Sequence, residues 1–185
     1  MASKVKQLFI VVIVVQVMFL LGLVGYRETI LTLGRAAVLQ TVPVDPRDLF
    51  KGEYVTLRYE ISTLGQNSTV PNAKPYLLMG EINEGDTVYV GVHEESTDDS
   101  KDQFSMLHVQ ADKPSDDTDL FIKGRVITSK DNIITVEYGI EQYFLSEGRG
   151  VEIERADDVK VRVKINRSGT AAIKELIVDG EVWQP

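Results

Sequence analysis

"VKVRVKINRSGTAAIKELIVDG", Val159 to Gly180, is the stretch whose reading decides the fold. Val159, Val161, Val163 and Ile165 fall on one side of an extended chain, and Lys160, Arg162 and Lys164 fall on the other. One face of this strand is therefore core and the other is wet. Asn166 to Gly169, "NRSG", is hairpin-turn chemistry that returns the chain along a second strand, Thr170 to Val178, which Asp179-Gly180 ends. The same grammar recurs upstream. "TVYVGVH" from Thr87 sets Val88, Val90 and Val92 on one face, and "LFIKGRVIT" and "NIITVEY" flank Lys130-Asp131-Asn132, which reads as another hairpin turn. About seven such strands at hairpin spacing predict a mainly β fold, an antiparallel small barrel or sandwich, with at most one short helix near "GRGVEIERA".

The N-terminus follows a different rule. Leu8 to Val24, "LFIVVIVVQVMFLLGLV", contains Gln16 as its single strongly polar residue. At 1.5 Å per residue the run covers roughly 26 Å, and Val5, Gly25 and Tyr26 extend it to the thickness of a hydrocarbon core. A cleaved signal peptide is the main competitor, but "GLVGYRE" offers no good small-x-small cleavage site. A buried core helix is the other, and an apolar surface on all sides suits lipid better than a small domain. Lys4 and Lys6 precede the span, while Arg27 is followed at once by Glu28, so the positive-inside bias places the N-terminus in the cytoplasm. The expected layout is a cytoplasmic N-terminus at 1–7, a transmembrane anchor at 8–26, a juxtamembrane helix or linker at 27–35 and an extracytoplasmic β-rich domain at 36–185. Within the linker, "YRETILTLG" prolongs the helix by about two turns, with Gly34 as a left-handed stop. Localisation follows as a cell membrane, crossed once; the family resemblance given below implies that the cell is bacterial or archaeal.

Composition narrows the function classes. The 185 residues carry a net charge of −8, and because the segment to Tyr26 contributes only Lys4 and Lys6, the remainder carries −10. That argues against nucleic acid and against anionic headgroups as partners. The absence of cysteine removes disulfides, thiolate nucleophiles and Cys-ligated metal centres. His93 and His108 have no second imidazole at ligand spacing, and the acidic loops "HEESTDDSKD" and "DKPSDDTD" lack the glycine and closing glutamate of a calcium loop. No Gly-x-Ser-x-Gly elbow, Walker loop or dinucleotide fingerprint is present. No catalytic set, metal site or cofactor is expected.

The densest charge lies in "VDPRDLFKGEYVTLRY", Val44 to Tyr59. Pro43 and Pro46 stiffen the chain and Asp45 suits the turn, so Val44 to Asp48 reads as a rigid corner. After Gly52, alternation sends Glu53, Val55, Leu57, Tyr59 and Ile61 inward and Tyr54, Thr56, Arg58 and Glu60 outward. Arg47 and Arg58 have Asp45, Asp48, Glu53 and Glu60 nearby, enough carboxylates to pair both cations without a ligand. "TLGQNSTVPNAKPY", from Thr63, reads as a polar loop. Trp183 is expected to pack against the body, the commoner fate of a lone tryptophan.

"GEYVTLRY", Gly52 to Tyr59, resembles the signature for which the prokaryotic GDYXXLXY family is named, and "VPVDPRDLFK" looks like the family's lead-in. Glu53 replaces the name's Asp, keeping the carboxylate one methylene further out. "YGIEQYFLSEGRGVEIE", from Tyr138, is similar to the family's later pattern at Tyr143, Phe144, Glu147, Gly148 and Gly150. The resemblance implies a membrane-anchored extracytoplasmic domain, often encoded beside a polytopic membrane protein, and brings no established activity with it. Two readings follow. In the first, the domain is a binding module that docks on a membrane-protein or envelope partner through Asp45, Arg47, Asp48, Gly52, Glu53, Tyr54, Arg58, Tyr59, Tyr143 and Glu147. In the second, it is a cell-envelope hydrolase with a carboxylate-based site. An anchor followed by "P...GEYV" loosely resembles the loop of type I signal peptidases, yet Pro43 to Gly52 holds no serine, so the Ser/Lys dyad is missing. Binding is the better-supported reading.

Overall fold

The computed structural model describes residues 2–42, 54–65, 82–92, 109–110, 113–114, 120–130, 133–146 and 149–184. The chain begins with one long helix, α1 (Ala2–Leu33), whose apolar residues from Val5 to Val24 are exposed, as fits a membrane anchor. At its end Gly34 donates its N–H to the Ile30 carbonyl at 2.9 Å. The expectation of a left-handed stop here needs correcting. Gly34 is not among the positive-φ residues; it is required because a Cβ would lie 2.4 Å from the Ile30 oxygen and 3.0 Å from the Ile165 nitrogen. The strand carrying Ile165 runs hard against the helix end, and only a hydrogen fits between them.

Among the described residues all sheet pairings are antiparallel, and they form three groups. The first sheet runs in the order β12 (Glu181–Val182), β11 (Ala171–Val178), β10 (Val159–Ile165), β1 (Arg35–Val42) and β3 (Arg58–Tyr59). The second runs β4 (Thr63–Gly65), β8 (Ile133–Glu137), β7 (Phe121–Lys130), β5 (Thr87–Gly91) and β6 (Val109–Gln110). Between them lies a two-stranded ribbon, β2 (Tyr54–Thr56) with β9 (Gln142–Phe144). A short helix, α2 (Gly150–Glu154), precedes β10. The mainly β class with an N-terminal helix is thus observed, as a curled half-barrel.

Alternation is realised where strands are long. In β10, Val161, Val163 and Ile165 are buried, and Lys160, Arg162 and Lys164 are half-buried. Arg162 pairs with Glu175 across β10 and β11. Val88, Val90 and Val92 join Val126, Ile134 and Val136 in a single core that also takes Ala37, Leu39 and Leu176 from the first sheet. The hairpin between β11 and β12 has Asp179 at φ 49° and Gly180 at φ 86°, the two positive values of a tight two-residue turn. Asp179-Gly180 therefore does more than end a strand, because it returns the chain as β12. One expectation about a loop also changes: Thr63–Gly65 is β4, paired with β8, and Leu64 is buried.

Candidate functional site

The motif segment begins as an alternating strand but does not continue as one. Within Tyr54 to Gly65 the chain contributes β2 to the ribbon, β3 to the first sheet and, after a 3-10 turn (Glu60–Ser62), β4 to the second. This segment therefore joins all three groups of strands. The expected inward set holds at Leu57, Tyr59 and Ile61, each nearly without exposure, and Val55 packs against the core. Thr56 and Arg58 are exposed, while Tyr54 and Glu60 are half-buried.

Two buried tyrosines secure the junction reciprocally. Tyr59 Oη donates to the Ile140 carbonyl at 2.5 Å, and Tyr138 Oη donates to the Ile61 carbonyl at 2.6 Å. Each phenol thus ties its own segment to the other. Glu141 adds two links: its side chain accepts from the Tyr138 N–H at 2.5 Å, and its carbonyl accepts from the Leu57 N–H at 2.7 Å. Burial pushes both phenol pKa values well above the ordinary range, and the Glu141 charge adds to the effect. These hydroxyls stay protonated and serve as fixed donors. The Tyr138 ring has room because β7 carries Gly124, where a Cβ would stand 2.2 Å from Val136 Cγ1 and 2.8 Å from the ring. Burial also raises the Glu60 carboxyl above its usual range.

The ribbon has two unlike faces. Val55 and Tyr143, opposite each other, point to the core, and Tyr143 meets Trp183 edge-on with centroids 6.3 Å apart. Trp183 packs on the body as expected; its indole N–H donates to Glu152 at 3.2 Å, and the Arg149 guanidinium lies 4.9 Å above its ring. Arg149 also pairs with Glu152 at 3.0 Å, and its hydrogen bond, with that from Trp183, holds the Glu152 carboxyl below its usual range. On the opposite face Tyr54 and Phe144 are register partners with ring centroids 6.0 Å apart. Phe144 is 70% exposed, a large apolar ring projecting into solvent.

Of the candidate residues, Tyr54, Arg58, Tyr59 and Tyr143 are described, whereas Asp45, Arg47, Asp48, Gly52, Glu53 and Glu147 lie outside the described residues. So do the acidic loop from His93, most of the one from Asp112, His108 and the turn residues Asp131 and Asn132. The structure brings Tyr54 and Tyr143 onto one ribbon but on opposite faces, and it puts Tyr59 in the core, out of reach of any partner. Phe144 is the surface residue that the sequence reading left out of the candidate set. Alternation sends Tyr143 and Phe144 to opposite faces, and the register of Tyr143 against Val55 decides that Phe144 is the outward one.

Among the described residues, the contacts that build this junction are packing and hydrogen bonds. A recess between Thr41, Leu57, Arg58 and Ile153 holds about 110 Å³, well under the roughly 300 Å³ at which small-molecule sites begin. Among the described residues no group of three His, Asp or Glu side chains could hold a metal ion. A family model described as GDYXXLXY protein matches residues 16–176, from the middle of α1 to β11. The chain belongs to the GDYXXLXY family. Read onto the structure, the Leu and the final Tyr of the GDYXXLXY name are Leu57 and Tyr59, both core residues, and the first Tyr is Tyr54, at the surface beside Phe144. No curated protein and no solved structure matches the chain significantly.

Proposed function

We propose that this GDYXXLXY protein is a membrane-anchored binding module that docks on an integral membrane protein through the outer face of its β2–β9 ribbon. The observation that carries the reading is the Tyr54–Phe144 pair, a half-buried tyrosine beside a phenylalanine ring that is largely exposed, on a two-stranded ribbon whose other face packs on Trp183 through Tyr143. Aromatic side chains already held by their neighbours lose little entropy on binding, and they dominate interface energetics. The anchor supports a partner within the membrane. Gly34 alone separates α1 from β1, and the helix end is bonded to the β10–β11 hairpin through Lys164 and Asn166. A domain joined so closely to its helix cannot reach far from the bilayer.

The accompanying layout keeps 1–7 in the cytoplasm and 8–26 across the membrane, with 27–35 joining the domain, 36–185, on the outer side, on the basis of Lys4 and Lys6. A reporter fused after Pro185 and active only outside the cytoplasm tests that orientation. The docking reading is tested in the native membrane by placing a photocrosslinking amino acid at 144 or, as a control, at 127, another exposed position. The expected product is an adduct specific to 144 with a protein that resists alkaline extraction. Adducts of equal yield at both positions, or an adduct with a soluble protein only, would exclude this face or this partner class.

A further inference from the structure

A cleft far from the motif lies where α1 meets the β10–β11 hairpin. It encloses about 730 Å³ between Tyr26, Leu33 and Gly34 on one side and Phe121, Asn166 and Arg167 on the other. Its depth in the membrane follows from helix geometry. If the apolar run ending at Val24 fills the hydrocarbon layer, Tyr26 stands at its boundary, and Tyr26 to Leu33 rises about 10 Å, comparable to the roughly 5–8 Å of headgroup region on one side. The cleft therefore opens among lipid headgroups, and its apolar wall continues into the exposed surface of α1.

Its polar lining suits an anion despite the negative charge of the chain as a whole. Arg167 and Ser168 sit on the exposed hairpin turn, Arg35 begins β1, and Lys123, on the neighbouring β7, donates its backbone N–H to the Gly169 carbonyl of that turn at 2.8 Å. The helix C-terminus would by itself repel an anion. Lys164 offsets that repulsion, since its Nζ lies 3.1 Å from the Gly34 carbonyl oxygen. Tyr26 is oriented by the Asn166 amide, 3.2 Å from its Oη. Glu28 is the one carboxylate of α1, and it is absent from the cleft lining.

We infer that this cleft binds the phosphate headgroup of an anionic phospholipid of the surrounding bilayer, with the acyl chains lying along α1. The inference rests on the membrane anchor and is independent of the docking face. Net charge alone argued against anionic headgroups; the local grouping of Lys123, Lys164 and Arg167 around the cleft reverses that conclusion at this end of the domain.

The test uses the full chain in detergent, with native mass spectrometry to count retained lipid after incubation with phosphatidylglycerol or phosphatidylcholine. The parent is expected to retain phosphatidylglycerol at least about fivefold better, and Arg167→Glu to abolish that preference. Arg167 is exposed in a turn, so the variant should fold. Thr29→Trp, which fills the cleft from α1, should reduce retention of both lipids. Arg58→Glu, distant in the fold and of the same charge change, should leave the preference intact. Equal retention of both lipids by the parent, or an unaltered preference in Arg167→Glu, overturns the inference. Displacement of phosphatidylglycerol by free inorganic phosphate would overturn the lipid assignment in favour of a soluble anion. Loss of the preference in Arg58→Glu would reduce it to an effect of overall charge.

Discussion

Removing one hydroxyl from the tyrosine junction should cost more than its size suggests. In Tyr59→Phe the ring still fills its site, but the Ile140 carbonyl loses the donor that stands 2.5 Å away, in a place that water does not reach. A buried acceptor left without its partner costs about 1–3 kcal/mol, and for a domain of this size each kcal/mol is worth about 2–4 °C in Tm. A loss of several degrees is therefore expected. Tyr138→Phe should behave alike, because its donor to Ile61 is equally buried. The two bonds join the same pair of segments, so loosening one weakens the geometry of the other. The double variant should then fall short of additivity by about 0.5–1 kcal/mol. Urea unfolding of the four proteins in detergent, followed by tryptophan fluorescence at Trp183, measures the cycle. The alkaline side provides an independent reading. Burial raises both phenol pKa values, so the folded state resists deprotonation while the unfolded chain loses protons near pH 10. Stability from these groups is complete below about pH 10 and declines as pH rises above it, and each Phe variant should make that decline shallower. Full additivity together with a loss below about 0.3 kcal/mol in both single variants would refute the reciprocal clamp.

Three further outcomes follow from the same structure. Gly124→Ala places a Cβ 2.2 Å from Val136 Cγ1 and should destabilise by about 1–3 kcal/mol, measured by urea unfolding, with the Tyr138 ring displaced. Gly34→Ala sets a methyl against the Ile30 and Ile165 backbones, so limited proteolysis should cut near residue 34 faster than in the parent. Burial disfavours the Asp158 carboxylate, but the Gln40 hydrogen bond at 2.7 Å and Lys160 outweigh it and hold the pKa below the usual range. Its stabilisation is present above the unfolded carboxylate pKa and is lost as pH falls through the folded one. Asp158→Asn should accordingly flatten the acid limb of a Tm-against-pH curve, leaving the alkaline limb unchanged.

Some of this protein is legible in local patterns because the responsible physics is local. A seventeen-residue apolar run marks a helix fit to span a membrane by length and hydrophobicity, and seven alternating residues from Val159 mark a strand with one buried face. The turns at Asn166–Gly169 and Asp179-Gly180 are written in residues that tolerate the backbone they need. Tertiary structure decided the rest. β2, β3 and β4 are two or three residues each, too short for any period to register, and their assignment to three different sheets is set by contacts across the chain. Tyr59 and Ile140 are 81 residues apart, and Tyr138 and Ile61 are 77. Gly34 shows the same division: its identity was visible, yet the reason for it lay in Ile165, a neighbour that only folding brings near. Which aromatic of β9 faces outward depended on the register of Tyr143 against Val55 and on Trp183 arriving from the far end of the chain. A side chain's face is fixed by what packs against its neighbour, and that neighbour is distant in sequence.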